Sequence, residues 1–285
     1  MNRSPPATRL SGCDLRLCYG ERTVAENISV AIPDGVFTAI IGPNGCGKST
    51  VLRALSRLLK PARGHVLLDG KDIHTQSPRH VARQLGLLPQ SAISPPGITV
   101  ADLVARGRHP HARFLRQWSE ADEAAVTAAL IATGMTALAD RPLDRLSGGQ
   151  RQRAWIAMAL AQETSLLLLD EPTTYLDLAH QIDLMELLGD LNTRQQRTLV
   201  AVLHDLNQAC RHAGHLIAMK DGRIVAEGEP SRIVDAALVE AVFGVAALVI
   251  DDPVSGTPLV IPRRRDRAIS RQVESPTGSE ITERL

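Results

Sequence analysis

A glycine-rich stretch at residues 42–50 constrains the fold of this chain more than any other feature. It follows residues 36–41, a nearly continuous apolar run typical of a strand that is buried on both faces. A helix-like segment at residues 49–59 comes next and is followed by Pro61 and Gly64. A strand, a glycine loop and a helix in this order direct backbone N–H groups and the positive end of a helix to one point. The sequence therefore predicts an anion-binding site at the end of a buried strand.

The stretch matches the phosphate-binding pattern G-x-x-x-x-G-K-[ST] at every specified position. Its residues are Gly42, Pro43, Asn44, Gly45, Cys46, Gly47, Lys48, Ser49 and Thr50. We expect the ammonium group of Lys48 to neutralise the β- and γ-phosphates of a nucleotide. The hydroxyl of Ser49 is expected to ligate Mg²⁺.

A second motif is a strand that ends in two carboxylates. Residues 166–169 are four leucines, and Asp170 and Glu171 follow them. In open α/β sheets, ligands bind at the C-terminal ends of the strands. We expect Asp170 to hold Mg²⁺ through water and Glu171 to act as a general base on an attacking water.

A third motif, Leu146-Ser147-Gly148-Gly149-Gln150, precedes a helix predicted to run to about Ala161. Adjacent glycines before a helix leave N–H groups exposed at its positive end, which makes a second anion site. If the two anion sites bind one nucleotide from opposite sides, the arrangement is most easily completed between two chains.

The composition excludes several classes of protein. The 285 residues carry a net charge of +1, which disfavours a strongly basic nucleic-acid binder and an acidic disordered chain. Three Phe, two Trp and two Tyr are too few for base-stacking platforms. The four cysteines show no CxxC spacing, which fits a reducing cytosol. With no signal-peptide pattern and no apolar run of about 20 residues, we expect a soluble intracellular chain that depends on partners for any work at a membrane.

The pattern along the chain predicts an α/β core with a helical insert. Alternating apolar residues between Leu15 and Ile32 predict antiparallel strands, followed by a turn at Asp34 and Gly35. An alanine-rich region at about 91–163 is predicted to be helical, with Ser119 as the N-cap of a helix from Glu120 to Met135.

The second half of the chain returns to strand patterns. Strands are predicted at residues 166–169 and 198–203, with an amphipathic helix between them and a hairpin at Asp221-Gly222. Residues 1–10 are predicted to be a flexible leader and 263–285 a disordered tail. The core is thus expected to comprise residues 11–90 and 164–262.

The three motifs together resemble those of the nucleotide-binding subunits of ABC transporters, over about Leu15 to Ile261. The resemblance implies a RecA-like P-loop NTPase core with an antiparallel β subdomain and a helical insert. It also implies ATP and Mg²⁺ as cofactors, and hydrolysis of ATP by a dimer that encloses two nucleotides. Each ATP would then contact residues 42–50 of one chain and Ser147 to Gln150 of the other.

The same resemblance assigns roles to four further residues. Tyr19 matches the aromatic residue that stacks on adenine, and Gln90 matches the glutamine that senses Mg²⁺ and faces the membrane partner. Asp177 lies in the dimer-contact loop, and His204 matches the histidine that contacts the γ-phosphate.

Within this family, residues 107–111, 171–181 and 203–209 are similar to the ATPases of ferric-siderophore importers. The cobalamin, haem and zinc importer ATPases are related to these and stay open as alternatives. The resemblance implies a second copy of the chain, membrane permease subunits and a substrate-binding protein as partners, and no nucleic acid. It places the chain on the cytoplasmic face of the inner membrane.

Two other classes of protein fit the sequence less well. Soluble ABC proteins of DNA repair or translation carry coiled coils or two cassettes, whereas this chain has one cassette and no heptad array. P-loop GTPases and kinases do not need residues 146–150, and the chain contains no Asn-Lys-x-Asp stretch to read guanine.

Overall fold

The structure, a computed structural model, describes residues 8–90, 95–112, 118–174 and 176–264. The β-strands of this part of the chain are β1 (Thr8–Tyr19), β2 (Arg22–Pro33), β3 (Phe37–Ile41), β4 (Arg63–Leu68), β5 (Lys71–Asp72), β6 (Leu85–Leu88), β7 (Leu166–Asp170), β8 (Thr198–Val202), β9 (His215–Lys220), β10 (Arg223–Gly228), β11 (Ala247–Asp251) and β12 (Pro258–Pro262). Its α-helices are α1 (Lys48–Leu55), α2 (Pro78–Ala82), α3 (Val100–Ala105), α4 (Glu120–Ala132), α5 (Gly148–Ala161), α6 (Leu178–Gln195), α7 (Leu206–His212), α8 (Pro230–Ile233) and α9 (Ala236–Phe243).

The strands of the described residues form two larger sheets and one hairpin. The larger sheet has the order β10-β9-β3-β8-β7-β6, in which β9 to β6 are parallel and β10 is antiparallel to β9. A four-stranded antiparallel sheet has the order β2-β1-β4-β5, and β11 pairs with β12. The predicted α/β core with an antiparallel β subdomain is confirmed.

Side chains of strand β7 alternate between two cores. Leu166 and Leu168 pack in the core that contains α1 and the antiparallel sheet. Leu167 and Leu169 pack in the core formed with α5 and α6. All four side chains are fully buried, because helices cover both faces of this parallel sheet. The strand therefore holds its C-terminal carboxylates in a fixed position.

The helical insert between β6 and β7 contains α3, α4 and α5. Ser119 is the N-cap of α4, as predicted, and forms a capping box with Asp122. The helix ends at Ala132, three residues before the predicted end at Met135, because Gly134 adopts a φ of +63°.

Two further predicted boundaries are wrong. Strand β1 begins at Thr8, inside the predicted leader, because Leu10 is buried and pairs with both Ile32 and Leu68. Helix α1 ends at Leu55 instead of residue 59, because Arg57 turns the backbone into the left-handed region with a φ of +69°. The rest of the leader, residues 1–7, and the tail from residue 265 lie outside the described residues.

Across the described ranges, no helix is both long enough and apolar enough to cross a membrane.

Candidate functional site

The phosphate loop connects the end of β3 to the start of α1. Gly42 has a φ of +148°, and a Cβ atom there would lie 2.1 Å from the carbonyl oxygen of Met219. Gly47 is the N-cap of α1 and has a φ of +103°. Both positions therefore require glycine, the first for space and the second for backbone conformation. The predicted order of strand, glycine loop and helix is present.

Lys48 crosses beneath this loop. Its side chain is buried, and Nζ donates hydrogen bonds to the carbonyl oxygens of Gly42 (2.9 Å) and Pro43 (3.0 Å). The ammonium group thus lies inside the loop whose N–H groups would face a phosphate. Its position adds a full positive charge to the anion site.

Ser49 and Asp170 are brought together from distant parts of the sequence. The hydroxyl of Ser49 donates a 2.7 Å hydrogen bond to Oδ1 of Asp170. Asp170 is buried, and burial raises the pKa of its carboxyl group. The two side chains offer the hard oxygen ligands that Mg²⁺ prefers, so these residues fit the predicted metal. A bound cation would lower the pKa of Asp170 again.

Glu171 is held by two side chains from distant segments of the chain and by one nearby hydroxyl. Its Oε1 lies 2.7 Å from Nε2 of His204, and its Oε2 accepts a 2.6 Å hydrogen bond from Nε2 of Gln90. The hydroxyl of Thr174 donates a longer hydrogen bond, 3.3 Å, to Oε2. The backbone of Glu171 has a φ of +53°, in the left-handed region that residues other than glycine rarely adopt. Gln90, predicted as a sensor of Mg²⁺, contacts the predicted base in this structure.

Most of the predicted nucleotide-binding residues line one cleft of about 490 Å³, whereas Gly42, Pro43, Cys46 and Asp170 are not in its lining. Tyr19 stands exposed at its edge, where its hydroxyl accepts a 3.3 Å hydrogen bond from Arg53. The other predicted residues in the lining are Asn44, Gly45, Gly47, Lys48, Ser49, Thr50, Gln90, Glu171 and His204. Arg22 and Val24 also line the cleft and were missed by the sequence analysis. Arg22 could have been found from its position, because it pairs with the predicted residue Tyr19 across the turn between β1 and β2.

The motif around Ser147 is not part of this cleft. Ser147 is the N-cap of α5 and forms a capping box with Gln150, while Gly148 and Gly149 are the first two residues of the helix. The glycines were predicted to precede the helix, so this boundary is corrected. The hydroxyl of Ser147 accepts from the amide of Gln150. Gly148 is exposed and Gly149 is half-buried. The first N–H groups of a helix have no acceptor within it, so the amides of these two glycines lack a partner inside α5.

Asp177 also lies outside the cleft. It is the exposed N-cap of α6, and its Oδ1 accepts from the backbone N–H of His180. The start of α5 packs on the segment between Glu171 and Asp177, because Gln152 donates a 3.0 Å hydrogen bond to the carbonyl oxygen of Pro172. One set of predicted residues therefore lies outside the cleft, on an exposed or half-buried surface, and comprises Ser147, Gly148, Gly149, Gln150 and Asp177.

The cleft combines an anion-binding loop, oxygen ligands for a divalent cation and a carboxylate that can accept a proton from water. Those are the parts that hydrolysis of a nucleoside triphosphate needs. The fold and this site define a P-loop nucleotide hydrolase.

Comparisons with known proteins narrow this class. The ABC transporter family matches residues 25–174. The ferric enterobactin transport ATP-binding protein FepC of Escherichia coli is 62% identical over 257 residues, which cover 90% of this chain and 95% of that protein. The siderophore transport ATP-binding protein YusV of Bacillus subtilis is 53% identical over 258 residues, 90% of this chain and 94% of its own.

A comparison with solved structures gives the same family. The dimeric structure of a bacterial ABC transporter cassette superposes with a TM-score of 0.69 at 29% identity, covering 77% of this chain and 98% of the cassette. The chain belongs to the ABC transporter family. It is an ATP-binding subunit of this family, and such subunits hydrolyse ATP to power transport.

Proposed function

We propose that this chain is the ATPase of an importer that takes up a ferric siderophore or a similar iron complex. The observation that carries the proposal is the placement of Glu171 against His204 in the cleft that the phosphate loop forms. That arrangement provides a base and a positioned histidine beside the expected γ-phosphate. The identity of the cargo is supported by the names of the related proteins.

ATP would bind with its phosphates in the loop and its adenine against Tyr19 at the exposed edge of the cleft. Lys48 would then exchange the carbonyl oxygens of Gly42 and Pro43 for the β- and γ-phosphates. The exchange keeps its charge satisfied in both states. Ser49, Asp170 and the side-chain oxygen of Gln90 would hold Mg²⁺, which neutralises phosphate charge when bound.

Hydrolysis would use the two side chains that already touch each other. Glu171 would take a proton from the attacking water while the water oxygen bonds to the γ-phosphorus. The bond from the γ-phosphorus to the β–γ bridging oxygen would break, and its electron pair would leave on ADP. His204 holds both Glu171 and the γ-phosphate in line with that water. For Gln90 to reach Mg²⁺, its amide must turn away from Glu171, which frees Oε2 to accept the proton.

The surface around Ser147 would be used by a second copy of the chain. The first amides of α5, at Gly148 and Gly149, would form an anion site that lies outside the cleft of the same chain. A related cassette has been solved as a dimer. We infer that two copies enclose two ATP molecules and that Asp177 contributes to the contact. Permease subunits and a substrate-binding protein would complete the importer at the cytoplasmic face of the inner membrane.

Deletion of the gene tests the cargo. Uptake of ⁵⁵Fe-loaded enterobactin should fall in the deletion strain, whereas uptake of cobalamin and zinc should not change. A plasmid copy of the gene should restore uptake, and a copy carrying Glu171→Gln should not. Loss of cobalamin or zinc uptake with normal iron-complex uptake would transfer the proposal to that cargo. Restoration by the Glu171→Gln copy would show that ATP hydrolysis by this chain does not drive the import.

A further inference from the structure

The C-terminal hairpin of β11 and β12 contains none of the motifs that form the nucleotide cleft. Its loop is closed by Asp252, whose carboxylate accepts hydrogen bonds from the backbone N–H of Val254 and the hydroxyl of Ser255, both 2.9 Å. The same carboxylate pairs with Arg211 of α7 at 2.5 Å. The side chain of Asp252 is 7% exposed. The pairing with Arg211 ties a buried charge in the hairpin to one specific helix.

A second connection joins the hairpin to α7. The backbone N–H of Val260 donates a 2.7 Å hydrogen bond to Oδ1 of Asn207, and Nδ2 of Asn207 donates to the carbonyl oxygen of Val260 at 3.2 Å. The amide of Asn207 thus takes the place that a neighbouring strand would occupy beside β12. Asn207 and Arg211 are four residues apart and lie on the same face of the helix. The side chain of Val260 is buried in the same core as Ala209 of α7.

Helix α7 begins two residues after His204. Asp205 caps the helix by accepting from the backbone N–H groups of Asn207 (2.8 Å) and Gln208 (3.0 Å). On the N-terminal side of His204, the backbone N–H of Leu203 donates a hydrogen bond to the carbonyl oxygen of Ile40. His204 is therefore held between a sheet strand and a helix of seven residues. A helix this short has little stability of its own, so its orientation depends on what it packs against.

We propose that the C-terminal hairpin belongs to the hydrolytic machinery and that Asn207 is a positioning residue for His204. By binding both backbone groups of Val260, Asn207 fixes the first turn of α7 and with it the direction of the His204 ring toward Glu171. The inference rests on the proposed role of His204 in hydrolysis. It gives a role in hydrolysis to a hairpin that contributes no residue to the lining of the cleft.

A double-mutant cycle on the full chain tests this inference. Asn207→Ala should lower the kcat for ATP by about 10-fold to about 100-fold and change KM less than about 2-fold, because ATP binding does not need the ring of His204 to be aligned. In a His204→Ala background, Asn207→Ala should cause no further loss. Residues that act through one another are non-additive in this way, whereas a general loss of stability would lower both backgrounds equally.

Asn192 offers a matched control. The side chain of Asn192 likewise makes two hydrogen bonds to the backbone, from Nδ2 to the carbonyl oxygens of Gly35 (2.9 Å) and Arg197 (2.8 Å). These lie near the end of β8 that is far from His204. Asn192→Ala should change kcat by less than about 2-fold at a temperature where thermal melting shows both variants folded. Equal losses of kcat in Asn192→Ala and Asn207→Ala would overturn the proposal, as would full additivity in the cycle.

If His204→Ala has no measurable turnover, a spectroscopic measurement tests whether Asn207 positions the ring of His204. In the protein labelled with ¹⁵N-histidine, Asn207→Ala should shift the Nε2 resonance of His204, and Asn192→Ala should not. An unchanged His204 resonance in Asn207→Ala would also overturn the proposal. If His204→Ala itself keeps the wild-type kcat, the role of His204 in the proposed function fails. If His204→Ala is impaired and Asn207→Ala is not, only the inference about the hairpin fails.

Discussion

Nε2 of His204 lies 2.7 Å from Oε1 of Glu171, although the two residues follow different strands of the central sheet. The side chain of Glu171 is 12% exposed and that of His204 is 42% exposed. The side chain of His204 therefore orients the carboxylate of Glu171, and the histidine ring is partly exposed to solvent. Adjacent parallel strands β7 and β8 create this pair because both end at the same edge of the sheet.

The pair predicts that binding and hydrolysis of ATP can be separated. Glu171→Gln keeps the shape and an acceptor for the neighbouring groups but removes the base. We expect ATP affinity within about 3-fold of wild type and a kcat that is about 10²-fold to 10⁴-fold lower. Equilibrium binding of a fluorescent ATP analogue and phosphate release measure the two quantities. A variant that retains more than about a tenth of wild-type kcat would contradict the role of Glu171 as base.

Substitution of Lys48 should lower both the affinity for ATP and the kcat. Lys48→Ala removes a buried charge from the phosphate loop, and we expect ATP affinity to fall by about 10-fold to about 100-fold, with a further loss of kcat. Lys71→Ala removes a positive charge from an exposed position in β5 and should leave both unchanged. The same binding and turnover assays apply. Wild-type affinity in Lys48→Ala would show that this side chain does not contact the phosphates.

The thiol of Cys46 gives a chemical probe of the loop. It is 5% exposed, and burial raises the pKa of its thiol, so little thiolate exists near neutral pH. We expect N-ethylmaleimide to modify Cys46 more slowly than the partly exposed Cys13 and Cys18, and more rapidly as pH rises. Modification should stop ATP hydrolysis, and bound ATP should protect against it.

Mass spectrometry of peptides, together with activity, follows this reaction. Cys46→Ser should hydrolyse ATP at close to the wild-type rate and should resist inactivation. If the serine variant is inactivated as fast as the wild type, the sensitive group lies elsewhere.

Acid stability should depend on Asp122 at the start of α4. A hydrogen bond from the Ser119 hydroxyl, together with Arg108, lowers the pKa of Asp122 to about 2. A lowered folded-state pKa adds stability that is complete above the unfolded value near 4 and is lost as pH falls through about 2. Asp122→Asn should therefore lower the free energy of unfolding by about 1–2 kcal/mol at pH 7.

Urea unfolding at several pH values measures this effect. The difference between wild type and Asp122→Asn should be the same at pH 7 and pH 5 and should shrink below about pH 4. A difference that grows as the pH falls would contradict the assignment of the lowered pKa to Asp122.

Local sequence chemistry was sufficient to predict the phosphate loop, because its glycines, Lys48 and Ser49 are adjacent in the chain. The pairing of Ser49 with Asp170 could be anticipated, since parallel strands end at one edge of a sheet. Arg22 was missed because only the register between β1 and β2 brings it to the cleft. The clamp of Asn207 on Val260 joins residues 53 positions apart, and no local pattern marks it.

Errors at element ends have the same origin. The predicted helix after the phosphate loop was four residues too long, because nothing in its composition reveals the left-handed turn at Arg57. The leader was predicted too long because Thr8 and Arg9 are polar, and their place in a strand depends on the burial of Leu10 between two partners.

The shared nucleotide site is the central claim, and the oligomeric state of a hydrolysis-deficient variant tests it most directly. The measurement is size-exclusion chromatography with light scattering on Glu171→Gln, with and without ATP, in the absence of Mg²⁺. We expect a dimer with ATP and a monomer without it. Adding Ser147→Arg should abolish the dimer, because the larger side chain would occupy the place of the γ-phosphate bound by the other chain. Ser119→Arg, at the N-cap of α4, makes the same change away from the expected contact and should leave the dimer intact. A dimer that survives Ser147→Arg, or one that forms equally well without ATP, would contradict the account.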